Sequence, residues 1–242
     1  HAYVAQGTYN VKLVAVSDKN CSDSITQAIT VYDKPLAAFA VTDVCRGVIT
    51  SISDNSSIGT GSINQWQYDW GNGQSSNQQN PSTTYNAAGT YAIMQIVTTT
   101  DGCSDTAFMN TTIHPLPVVN FSAGDVGLGN AVNFINNSNI STGSISSYVW
   151  DLGNGNTSSA QSPTESYSAS GTYTVTLVAT SNQGCVDSMS RTINVFQLPS
   201  AIMQTTPACY SVSNGSAEVS AADGTAPYTY TWNTGAGGAQ LN

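Results

Sequence analysis

Apolar and polar residues alternate in short stretches along this chain. From Thr172 to Ala179, Tyr173, Val175, Leu177 and Ala179 fall on one face and the threonines on the other, the period-two pattern of a half-buried β-strand. The turn Asn182-Gln183-Gly184 follows, then a second stretch running to Val195, so the pair predicts a β-hairpin. Val132 to Ile135 and Ser147 to Leu152 mark earlier strands. Roughly seven such strands to a unit fit an immunoglobulin-like sandwich.

The pattern repeats. Gly7-Thr8-Tyr9 returns as Gly89-Thr90-Tyr91 and as Gly171-Thr172-Tyr173, each step being 82 residues without a gap. Tyr3, Tyr85 and Tyr167 keep the same step, as do Cys21, Cys103 and Cys185, and Pro35, Pro117 and Pro199. The offset continues from Trp66 through Tyr148 to Tyr230, from Tyr68 through Trp150 to Trp232, and from Gly71 through Gly153 to Gly235. A unit of this size buries its own core, unlike shorter solenoid repeats that must stack. Each repeated proline follows a last strand, where a missing N–H ends pairing. Boundaries are therefore expected at 1–34, 35–116, 117–198 and 199–242, the first and last being partial domains that should not fold alone. Nothing at the N-terminus reads as an export signal, and residue 1 is expected to be a fragment boundary.

Composition agrees with an all-β chain and narrows its partners. Only 8% of the 242 residues are charged, and Val, Ile, Thr and Tyr are plentiful, as suits pleated strands. The formal net charge of −9 would repel a phosphate backbone, so nucleic acid is excluded as a partner. The longest apolar runs, such as Leu13 to Val16, fall far short of the roughly 20 residues that cross a bilayer. No membrane insertion is expected in this segment. Low charge, abundant Ser, Thr and Asn, and the placing of five cysteines point to an extracellular site.

Tyr68-Asp69-Trp70-Gly71-Asn72-Gly73 and Trp150-Asp151-Leu152-Gly153-Asn154-Gly155 are each followed by a Pro-Ser/Thr-x-x-Tyr and then Gly-Thr-Tyr. This order resembles the polycystic-kidney-disease (PKD) domain, although Asn72 and Asn154 stand where that family usually has a second Asp, and Trp70 and Leu152 replace its usual Phe. The resemblance implies tandem PKD-type sandwiches. Beyond Pro199, Cys209-Tyr210, Asn214-Gly215-Ser216-Ala217 and Gly224-Thr225-Ala226-Pro227-Tyr228-Thr229-Tyr230-Thr231-Trp232 resemble the SprB-type repeat of Bacteroidetes surface proteins. Such tandems imply a very large cell-surface protein of a Gram-negative bacterium, of the kind that includes gliding-motility adhesins delivered by type IX secretion.

The repeated Asp-x-Gly-Asn-Gly run reads as a structural turn. Asp69 and Asp151 can accept backbone N–H bonds, while Gly71, Gly73, Gly153 and Gly155, with Asn72 and Asn154, tolerate positive φ. Calcium is the one ion these oxygens could hold, but no D-x-[DN]-x-[DN]-G loop is present, and no cofactor is expected. His1 and His114 stand singly and make no metal site. No Cys/His pair, no G-x-S-x-G elbow and no clustered acid pair suggests catalysis. Of the aromatics Trp66, Tyr68, Tyr148 and Trp150, one of each pair is expected in the core, the other leaving room for a sugar platform.

Cysteines offer two pairings. Cys21, Cys103 and Cys185 follow the last hairpin turn of their units, and Cys45 and Cys209 precede a second strand. A bond from Cys45 to Cys103 would be intradomain, but sandwich topology puts those turns about 25 Å apart. A bond from Cys45 to Cys185 would instead staple the second domain to the third. Both readings stay open. Asp23-Ser24-Ile25, Asp105-Thr106-Ala107 and Asp187-Ser188-Met189 match the D-[ST]-aliphatic pattern of Bacteroidetes O-glycosylation. Ser24, Thr106 and Ser188 are therefore candidate acceptors, against the simpler reading that Asp caps the hairpin and Ser or Thr suits an outward strand position.

Two functions remain. One is a non-catalytic stalk or filament segment of a surface adhesin, with neighbouring domains, and identical chains in a fibre, as partners. The other is a carbohydrate- or matrix-binding array attached to a secreted enzyme, with surface polysaccharide as the partner.

Overall fold

A computed structural model describes residues 1–211, 215–233 and 240–241; Asn214 and Gly235, which carry part of the repeat and of the SprB resemblance, lie outside the described residues. All of its regular elements are strands. β1 (Gly7–Val16) and β2 (Ser22–Val31) form a lone antiparallel hairpin. There follow β3 (Phe39–Ala40), β4 (Val44–Cys45), β5 (Ile49–Ser51), β6 (Ser53–Asp54), β7 (Ile63–Asp69), β8 (Ser75–Ser76), β9 (Ser82–Thr84), β10 (Gly89–Thr99) and β11 (Ser104–His114). The next domain repeats the series as β12 (Phe121–Ser122), β13 (Val126–Gly127), β14 (Ala131–Asn133), β15 (Ile135–Asn136), β16 (Ile145–Asp151), β17 (Thr157–Ser158), β18 (Thr164–Ser166), β19 (Gly171–Ser181) and β20 (Val186–Phe196). Last come β21 (Ser200–Thr206), β22 (Ser216–Ala222) and β23 (Gln240–Leu241), in one antiparallel sheet.

Each full domain is thus a sandwich of nine strands, where sequence alone predicts about seven. In the first, the five-stranded sheet β4-β11-β10-β7-β8 is accompanied by the pairs β3-β6 and β5-β9. In the second, the sheet β13-β20-β19-β16-β17 is accompanied by β12-β15 and β14-β18. The extra elements come from breaks. Ile52, between β5 and β6, and Phe134, between β14 and β15, donate backbone N–H groups to Pro81 and Pro163 and turn their side chains into the core.

Alternation decides which residues are buried. Along β19, Val175, Leu177 and Ala179 are fully buried, and they meet Phe121, Phe134, Trp150 and Tyr167 in one cluster. Along β10, Ile93 joins Phe39, Ile52, Tyr68, Trp70, Tyr85 and Ile113. Burying each such side chain contributes about 1.5–3 kcal/mol. Three positions trade bulk between the two cores: Ile52, Tyr68 and Trp70 in the first stand where Phe134, Trp150 and Leu152 stand in the second. The changes compensate, so two different side-chain sets fill one backbone frame.

The Gly-Thr-Tyr repeat has a packing reason. Tyr91 and Tyr173 donate to the carbonyls of Ala87 and Ala169, as Tyr9 does to Ala5, each phenol tying its strand to the chain four residues upstream. Tyr85 and Tyr167 lie against them with ring centroids 4.2 Å apart, and donate to the carbonyls of Trp70 and Leu152 at 2.8 and 2.7 Å. Burial pushes both of these phenols up to about 12.

Candidate functional site

The repeated Asp-x-Gly-Asn-Gly run is a tight turn closed by its own side chains. Asp69 and Asp151 accept the N–H of Gly71 and Gly153 at 2.8 and 2.9 Å. Asn72 and Asn154 accept the N–H of Gln74 and Asn156. All four glycines take positive φ, whereas both asparagines keep negative φ. Asn72 and Asn154, expected to tolerate positive φ, act in the turn through their side-chain oxygens. Gly71 and Gly153 carry a second constraint, because a Cβ there would lie 2.6 or 2.5 Å from the carbonyl oxygen of Ala92 or Thr174. In the second turn, Glu165 Oε1 accepts from both Asn154 and Asn156 at 2.8 Å. Among the described residues, no group of three or more His, Cys, Asp or Glu side chains stands close enough to hold a metal.

The aromatic pairs divide as expected. Tyr68 and Trp150 are fully buried, while Trp66 and Tyr148 pack against the cores from partly exposed positions. What the sequence did not announce is the polar cluster around them in the first domain. Asp54 Oδ1 accepts from Ser56 Oγ at 2.6 Å, Ser56 N at 3.1 Å and Gln95 Nε2 at 2.8 Å. Its Oδ2 accepts from Trp66 Nε1 at 2.7 Å and Gln79 Nε2 at 3.1 Å. Gln95 is wholly buried and also donates to the Tyr68 hydroxyl. Burial works to raise the Asp54 carboxyl, but the donors of Ser56, Gln79 and Gln95 outweigh it and hold it below the ordinary aspartate value. The one available signal was that Gln95 occupies a repeat position filled by Leu13 and Leu177. In the second domain Asn136 replaces Asp54, and its Nδ2 is buried with no hydrogen-bond partner.

The last hairpin turns also repeat in detail. Ser17, Thr99 and Ser181 each accept the N–H of Cys21, Cys103 or Cys185 through a side-chain hydroxyl, at 3.2, 3.2 and 3.0 Å. Cys45 does not sit in a turn before a strand, as expected, but in a strand, β4, paired in parallel with β11 through His114. That register puts it about eleven residues along β11 from Cys103, roughly 35 Å away. Cys45 and Cys185 are disulfide-bonded, and Cys21 and Cys103 are thiols.

Ser24, Thr106 and Ser188 are exposed. The aspartates before them differ in role. Asp23 and Asp187 accept the N–H of the following residue. Asp105 takes Lys34 Nζ at 2.6 Å and Ala37 N at 2.9 Å, tying the segment between β2 and β3 to the base of β11. Asp33 adds a second tie, accepting Thr60 N at 3.0 Å, while Thr60 Oγ1 donates to Gln6 Oε1. These bonds fasten the β1-β2 hairpin to the first domain.

The PKD domain family matches residues 32–113 and 115–196, and the SprB repeat matches residues 203–237. The pre-pro-metalloprotease PrtV of Vibrio cholerae is 43% identical over 94 residues, which are 39% of this chain and 10% of that protein. The chain thus spans about a tenth of the length of that relative. Among solved structures, the PKD1 domain of Vibrio anguillarum Epp is 40% identical, covers 33% of this chain and 93% of its own, with a TM-score of 0.32. The PKD1 domain of the V. cholerae metalloprotease PrtV is 44% identical over 33% of this chain and 96% of its own, also with a TM-score of 0.32. With well over half its length matched, the chain belongs to the PKD-domain family, carrying two PKD domains in tandem and a SprB repeat after them.

Proposed function

We propose that this segment is a non-catalytic stalk of a large adhesin on the surface of a Gram-negative bacterium. The observation that carries this reading is the gapless 82-residue repeat together with the ties at the joint before the first domain, Asp33 to Thr60 and Lys34 to Asp105. A repeat of constant length projects its far end by a regular increment per domain. Exported modules of the PKD and SprB types, together with a disulfide, fit an extracellular site. Small-angle scattering tests the stalk directly: adding one further copy of residues 117–198 should lengthen the maximum dimension by a fixed step. An unchanged maximum dimension would refute it.

We take the Cys45 to Cys185 pairing expected from sequence as part of this reading. Its support is that both sulfurs are disulfide-bonded while Cys103, the rival partner, is a thiol far along β11. Ser24, Thr106 and Ser188 are proposed as O-glycan acceptors on the strength of their exposure and their shared repeat position. Intact-mass measurement on native material should show added hexoses, and the bare polypeptide mass would dispose of the idea.

A second reading has its own observation. The 43% identity to a stretch of a pre-pro-metalloprotease that has a PKD1 domain favours an accessory module attached to an exported enzyme, with the PKD domains engaging polysaccharide or matrix.

A further inference from the structure

The three long hairpins have one length and register but two kinds of inner face. β1-β2, β10-β11 and β19-β20 run over residues 7–31, 89–113 and 171–195 with the same residue pairing. On the first strand of each, the positions that the two PKD domains turn inward hold Tyr9, Val11, Leu13 and Ala15, then Tyr91, Ile93, Gln95 and Val97, then Tyr173, Val175, Leu177 and Ala179. The outer two sets are identical, and the middle one departs from them at every position but the tyrosine. On the second strand, Gln27 and Arg191 stand where the first PKD domain has Thr111.

The departures are matched by polar partners in one frame only. Gln95 is wholly buried and donates from Nε2 to Asp54 Oδ1 and to the Tyr68 hydroxyl, both at 2.8 Å. Thr111 is buried too, and its hydroxyl donates to the Thr42 carbonyl at 3.1 Å. In the second PKD domain Leu177 is buried among Phe121, Phe134 and Trp150, while Arg191 stays exposed, 5.9 Å from the Phe121 ring centroid.

Exchange of hairpins between the two frames would therefore be penalised in both directions. A hairpin with leucine at position 95 deprives Asp54 and Tyr68 of the Gln95 amide, and a Gln or Arg at position 111 brings a long polar chain into a closed site. Gln95 in the second frame would bury its amide in an apolar cluster, with Asn136 in place of the carboxylate. Tandem copies of one fold misassemble by swapping equivalent elements, and buried polar contacts that a single partner satisfies can fix which segments pair. We propose that Gln95, Asp54 and Tyr68, together with Thr111, select the hairpin of the first PKD domain, excluding those of the units before and after it in the chain. By the same rule β1-β2, whose Val11 and Leu13 are exposed, is interchangeable with β19-β20. Selection of this kind serves a stalk and an enzyme accessory alike, since each needs every domain to fold on its own hairpin.

Grafts within the 242-residue chain test the proposal without altering any spacing, and each hairpin keeps its cysteine at one place. Hydrogen exchange read by peptide mass follows the two PKD domains separately. Residues 7–31 placed over 171–195 should leave amide protection in the second PKD domain close to that of the parent. The same residues placed over 89–113 should lower protection in the first by at least about tenfold, as the loss of buried hydrogen-bond donors implies. Adding Leu13→Gln and Gln27→Thr to that second graft should restore most of the protection, which separates selection by these positions from general damage by grafting. Full protection of the first PKD domain in the unrescued graft overturns the proposal. So does an equal loss from the graft over 171–195, or failure of the two substitutions to restore protection.

Discussion

Asp54 collects five hydrogen bonds on two oxygens and is the most heavily engaged carboxylate of the first domain. Its folded pKa lies below the ordinary value of 3.8, so the unfolded chain binds the proton more readily. The stability it contributes is present above that value and is lost as pH falls through the lower folded pKa. Asp54→Asn should lower stability at pH 7 by about 2–3 kcal/mol, because hydrogen bonds to a charged acceptor are lost and buried donors are left facing an amide. The same variant should flatten the loss of stability below pH 4. Urea titrations at pH 7 and pH 3, followed by tryptophan fluorescence, read both effects, and identical pH dependence in parent and variant would contradict the assignment. At this scale the sequence showed only a glutamine in an apolar repeat column. Nothing in its spacing joins Asp54 to Gln79 and Gln95, which are brought together by three separate segments of the sandwich.

The Asp-x-Gly-Asn-Gly turn separates two demands on glycine at the level of the element. Gly73 has a φ of 85° with open space where a Cβ would point, whereas Gly71 has both a φ of 70° and a backbone oxygen 2.6 Å away. Gly73→Ala should cost about 1 kcal/mol, the strain of an L-residue in the left-handed region. Gly71→Ala should cost clearly more, about 3 kcal/mol, because β7 must also move off β10. Thermal unfolding of the two variants makes the comparison, and equal losses would mean that the close approach to Ala92 carries no weight. The last hairpin offers a second check. Thr99→Val keeps the shape of a buried side chain but removes the acceptor for Cys103 N, and should cost about 1 kcal/mol in urea midpoint analysis.

For the whole molecule, the disulfide is the measurable quantity. Non-reducing peptide mapping should yield a Cys45–Cys185 linked peptide, and a Cys45–Cys103 peptide would contradict it. Reduction should lower the thermal midpoint, since crosslinks over long loops typically contribute about 2–4 kcal/mol. The register of β4 on β11 supplies what sequence reasoning had to assume, namely that Cys45 lies at the far end of its sheet from Cys103.

The repeat, the strand alternation and the turn motifs are properties of neighbouring residues, and for that reason the amino-acid order alone determined the all-β class, the 82-residue unit and the PKD and SprB resemblance. Strand length, side-chain periodicity and turn chemistry are local, and they recur with each copy. The tertiary structure decided what depends on residues distant in the chain: the breaks that make nine strands of seven, the exchange of bulk among Ile52, Tyr68 and Trp70 against Phe134, Trp150 and Leu152, and the Asp54 cluster. These arise where separate strands meet within a domain, and each of the two domains fills the same backbone pattern with different side chains.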